Sequence, residues 1–98
     1  MGYIRHHTIV VTGYVENLSK AHQLAKEIFG SLVSEIIQSN VNGYESFFVA
    51  PDGSKEGWEE SDNGDKNRQK FIDEVADVDY VELFFGDDNG ESKIENHT

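Results

Sequence analysis

The chain has no cysteine among its 98 residues. That excludes disulfides, zinc–thiolate sites and a thiol nucleophile, and it fits a reducing cytoplasmic setting. Positive charge is scarce. Eight Lys and Arg stand against 19 Asp and Glu, a formal charge of −11, which repels a phosphate backbone and argues against direct nucleic-acid binding. Long apolar runs are missing too. None approaches the roughly 20 residues that cross a bilayer, and the opening Met1-Gly2-Tyr3-Ile4-Arg5-His6 has no apolar stretch of a secretory signal and no Ser or Thr at position 6 for myristoylation. No export, lipid anchor or membrane partner is expected.

What remains is enough for one domain over residues 1–98. Hydrophobic residues make up 37% and there are eleven aromatics, sufficient for a single two-layer core. The β-branched run Thr8 to Thr12 ends at Gly13 and reads as a buried strand. Ala21, Leu24, Ala25 and Ile28 recur at helical spacing, with Asn17 or Ser19 as cap and Gly30 as stop. Two β-rich runs, Leu32 to Val41 and Tyr44 to Ala50, flank Asn42-Gly43, the pair preferred in a two-residue hairpin turn. Such a turn sets Val41 opposite Tyr44, Ile37 opposite Phe48 and Ile36 opposite Val49.

The sole proline, Pro51, closes that strand with Asp52-Gly53. Phe71, Ile72, Val75 and Ala76 mark a second helix starting between Ser61 and Lys66. Asp79 to Phe85 alternates as a fourth strand, with Val81, Leu83 and Phe85 expected inside and Tyr80, Glu82 and Phe84 outside. Asp87-Asp88-Asn89-Gly90 reads as a turn. Ile94 places a short fifth strand along the fourth, or the polar stretch 91–98 frays. The order β-α-β-β-α-β predicts an α+β, ferredoxin-like sandwich: a four-stranded antiparallel sheet with two helices on one face. The expected core is Ile9, Val11, Leu24, Ile28, Phe71, Val75, Val81, Leu83 and Phe85.

Two surfaces follow. Residues 52–65 read as one irregular segment holding Asp52, Glu56, Glu59, Glu60, Asp62 and Asp65 against Lys55, a net of −5, around the only tryptophan. Compact domains seldom keep so long an irregular stretch without a use. Trp58 either anchors it or faces a partner, and the usual burial of tryptophan favours the anchor. The second surface is the sheet face away from the helices, expected to carry Tyr44, Phe48, Tyr80 and Phe84 beside Val10 and Ile37.

The segment Gly43-Tyr44-Glu45-Ser46-Phe47-Phe48-Val49-Ala50-Pro51-Asp52-Gly53-Ser54-Lys55-Glu56-Gly57-Trp58-Glu59-Glu60-Ser61-Asp62 resembles one found in small uncharacterised bacteriophage proteins. The Met1 to His6 opening is similar to theirs as well. The resemblance spans about the first two thirds of the chain, and nothing after Gly86 shares it. It implies a phage accessory product in the host cytoplasm but assigns no activity and no functional residue.

Several chemistries lack support. Counted from Asp52, the acidic segment forms a partial EF-hand pattern, but Asn63 stands where a bidentate carboxylate is needed. Asp87, Asp88 and Glu91 around Gly90 read as a charged turn. Adjacent His6 and His7 point to opposite faces of a strand and cannot share a metal, His22 and His97 are isolated, and a single His-x-Thr at His6 to Thr8 lacks its second copy. There is no nucleophile elbow and no phosphate loop. No cofactor, metal or catalytic residue is expected. The expectation is a non-catalytic protein-binding module that forms a homodimer or binds a basic host or phage protein, for example as an acidic inhibitor of a host nuclease or defence complex. The alternative is a small ligand-binding domain or enzyme, with a pocket beneath the 52–65 segment lined by Trp58 and a histidine.

Overall fold

A computed structural model describes residues 5–55, 57–86 and 92–98. The expected turn at 87–90 and the carboxylates of Glu56 and Glu91 lie outside the described residues. The chain runs β1 (His6–Tyr14), α1 (Val15–Phe29), a 3₁₀ turn (Gly30–Leu32), β2 (Ile37–Gln38), β3 (Tyr44–Val49), α2 (Glu59–Glu74), β4 (Asp79–Phe85) and β5 (Lys93–His97). The sheet order is β2-β3-β1-β4-β5, with every pairing antiparallel. This α+β architecture, two helices on a five-stranded antiparallel sheet, is consistent with the expected ferredoxin-like type, the fifth strand extending the β4 edge.

Ile9 and Val11 of β1, opposite Val49 and Phe47 of β3, form the middle of the core. Leu18, Ala21 and Ala25 of α1 and Phe71 of α2 close over them. Gly13 continues this inner row. A Cβ there would come within 2.9 Å of Val78 Cγ1, so only glycine lets the chain entering β4 cross so close to β1.

β4 sits with the opposite face inward from the one expected. Tyr80, Glu82 and Phe84 pair with Val11, Ile9 and His7 and point toward the helices, and Val81, Leu83 and Phe85 lie on the open face with Val10, Thr8 and His6. Glu82 and Phe84 are buried. The reason is Arg68, a buried cation on α2. Its Nε lies 3.3 Å from Glu82, and the other parity would leave it with only the largely exposed Asp65, a larger loss than turning two aliphatic side chains outward.

β2 is shorter than the expected Leu32 to Val41. Ser34 exchanges hydrogen bonds with Phe48, and Ile37 pairs with Ser46, so one extra residue bulges from this edge. Asn42 and Gly43 do have positive φ, but Ser39 bonds Tyr44, so the turn spans four residues instead of two. The register is two residues off the expected pairing; Ile37 still shares the open face with Phe48.

Candidate functional site

The second half of the acidic segment is helix. α2 begins at Glu59, inside the stretch expected to be irregular, and places Glu59, Glu60 and Asp62 in its first turn. Carboxylates there oppose the positive end of the helix dipole, each worth about 0.3–1 kcal/mol. Trp58 occupies the N-cap position and is 49% exposed, so it does not anchor the segment in the core. The Lys55 ammonium lies 5.8 Å from its ring centroid. Asp65 lies two turns into the helix and pairs with Arg68. Among the described residues no group of three or more ligating side chains could hold a metal ion.

The open face of the sheet is apolar at its centre. Val10, Phe48, Phe85, Ile37 and Ile94 are 40, 42, 39, 62 and 58% exposed, and Val81 and Leu83 fill the space between them. Tyr14 and Tyr44 stack at 4.5 Å at one end, where the Tyr14 hydroxyl holds Tyr44 above its ordinary 10.0. Thr12 and Ser46 bond each other across β1 and β3. Of the four aromatics expected here, Tyr44 and Phe48 are on this face; Tyr80 and Phe84 are not, for the reason given by Arg68. Phe84 instead lies under the Arg5 guanidinium, 4.4 Å from its centroid.

Charge is sorted between the two faces. The strand carboxylates Glu45 and Glu82 are buried on the helix side, and Asp79, at the end of β4 opposite Thr12, is the one strand carboxylate on the open face among the described residues.

A second feature lies on the helix side, where a cleft of about 230 Å³ opens between the end of α1 and the first half of α2. Ile28, Phe29, Leu32 and Val49 form its floor; Asp52, Glu60, Asn63, Asn67 and Arg68 stand around it, with His7 at one end. A histidine is present as anticipated; Trp58 is not. Arg68 is held by Asp65 and Glu82, and Asn96 Nδ2 donates to the other Glu82 oxygen at 2.6 Å. Ser54 donates both its N–H and its hydroxyl to Asp52 Oδ1, at 2.9 and 2.7 Å. Burial raises the Asp52 pKa, but these bonds, with Arg68 and His7 nearby, outweigh it and hold the carboxyl below its ordinary 3.8.

Sequence reasoning placed an alternative pocket beneath this segment but missed its Arg68 wall, because the inner face of α2 is not written in apolar residues. Ser61, Gly64, Arg68, Phe71 and Val75 follow helical spacing, and Ser61 and Arg68 are buried alongside Phe71. The signal was the spacing of small and charged residues.

No protein-family model, curated protein or solved structure matches the chain. No helix among the described residues is long and apolar enough to cross a membrane.

Proposed function

We propose that the protein is a non-catalytic binding module that self-associates through the open face of its sheet. The observation that carries this is the sorting of charge. In a chain of net charge −11, the face bearing Val10, Phe48, Leu83 and Phe85 has, among the described strand residues, a carboxylate only at its end. A basic partner would find little there to pair with. A second copy of the same acidic chain meets no like charge across the centre of this face as described, so two copies can approach there without repulsion. Half-exposed apolar side chains such as Val10 and Phe48 each contribute on the order of 1 kcal/mol when covered.

Self-association of this kind keeps the helices outward. The acidic first turn of α2, with Glu59, Glu60 and Asp62 beside Trp58, then remains for a basic host or phage protein, in keeping with the phage-like segment. The two contacts differ in salt dependence: rising ionic strength weakens the acidic contact and leaves the apolar one intact. Sedimentation equilibrium tests the dimer. The wild type is expected to be dimeric at micromolar concentration in low and high salt, and Val10→Lys monomeric with an unchanged circular dichroism spectrum. A monomeric wild type overturns the proposal.

A further inference from the structure

The cleft on the helix side brings two opposite charges to one point. Arg68 uses Nε toward Glu82 and Nη2 toward Asp65, and its side chain is only 9% exposed. Nη1 has no hydrogen-bond partner among the described residues and is directed over Gly64, as is Asp52 Oδ2. A Cβ on Gly64 would stand 3.0 Å from Nη1 and 3.2 Å from Oδ2. Glycine inside a helix is a poorer choice than alanine for helix stability, yet here it keeps open the point on which both heads converge. Below that point lies the apolar floor of Ile28, Phe29, Leu32 and Val49.

We propose that this cleft binds a zwitterionic apolar amino acid. Its carboxylate meets Arg68 Nη1, its ammonium meets Asp52 and Glu60, and its side chain rests on the floor. A simple anion is disfavoured because Asp65 and Glu82 already surround Arg68 and the chain is strongly negative. A simple cation would face the open Nη1 donor. A neutral ligand with both charges satisfies both heads. The Asn63 and Asn67 amides, one helical turn apart, offer neutral donors and acceptors beside them. A volume of about 230 Å³ is below the range usual for larger ligands and suits a single residue.

Calorimetric titration with leucine and phenylalanine tests the proposal. Isopentylamine, which lacks the carboxylate, and 4-methylpentanoate, which lacks the ammonium, serve as truncated probes. At least one amino acid is expected to bind saturably, with each leucine analogue weaker than leucine by roughly tenfold or more, the loss expected for one charged hydrogen bond. Gly64→Ala places a methyl group at the convergence point; it is expected to abolish binding while the circular dichroism spectrum and cooperative thermal unfolding are retained, which separates a blocked site from a failed fold. Asp52→Asn is expected to weaken binding about tenfold. No saturable binding of either amino acid, amine binding as tight as that of its parent, or wild-type binding by Gly64→Ala each overturns the proposal.

Discussion

At the scale of single residues, Arg68 and Glu82 decide most. Burying an ion pair costs desolvation on both sides, and the pair survives because each member is also bonded elsewhere, Arg68 to Asp65 and Glu82 to Asn96. Glu82→Ala leaves a buried guanidinium without its buried carboxylate and is expected to destabilise the fold by about 3–5 kcal/mol in urea denaturation. The double variant Arg68→Met with Glu82→Leu removes both charges and is expected to be near neutral or more stable. A loss as large as the single variant's would show that the pair itself holds the two layers together. Asp52 gives a pH prediction. Its folded pKa lies below the unfolded value of 3.8, so its stabilisation is fully present above 3.8 and is lost as pH falls through the folded value. The stability difference between wild type and Asp52→Asn is therefore expected to shrink on acidification from about pH 5. Thermal melts across that range check it; a constant difference would remove Asp52 from the acid response.

At the scale of elements, the sequence made β1, α1, β3 and the presence of α2 and β4 legible, because each carries its own pattern, and left β5 as one of two alternatives because 91–98 is polar. Thr8 to Thr12 is β-branched, Ala21 to Ile28 is periodic, and Asp79 to Phe85 alternates. Which face of β4 turns inward was not legible, since Val81-Leu83-Phe85 and Tyr80-Phe84 are both apolar enough. The choice rests on Glu82 finding Arg68, 14 residues away on another element. The start of α2 was hidden for a related reason: its first two turns are held by the helix dipole and small inward residues, with no apolar stripe to mark them. Neutralising Glu59, Glu60 and Asp62 to their amides is expected to lower stability by about 1–2 kcal/mol, less in high salt. Salt-independent loss in chemical denaturation would point to a role other than the dipole. Gly13→Ala forces a methyl against Val78 and is expected to cost about 1–3 kcal/mol, partly recovered by Val78→Ala; absence of that recovery would mean the strain lies elsewhere.

At the scale of the whole molecule, the described acidic residues lie on the helices, the loops and the inner face of the sheet, with Asp79 at the end of the open face, and the sheet shows an apolar centre to the outside. Composition gave the charge but not its sorting, which depends on strand parity. The two surfaces singled out in the sequence thus exchange weight: the acidic segment becomes a helix start, and the open face gains Val81, Leu83 and Phe85 in place of Tyr80 and Phe84. The most direct test of self-association through that face is an isotope-filtered nuclear Overhauser experiment on a mixture of labelled and unlabelled chains. Intermolecular contacts from the Val10, Val81 and Leu83 methyl groups to the Phe48 or Phe85 rings are the predicted result. Their absence at concentrations where the protein is dimeric, or their appearance on the α1 and α2 surface instead, would contradict it.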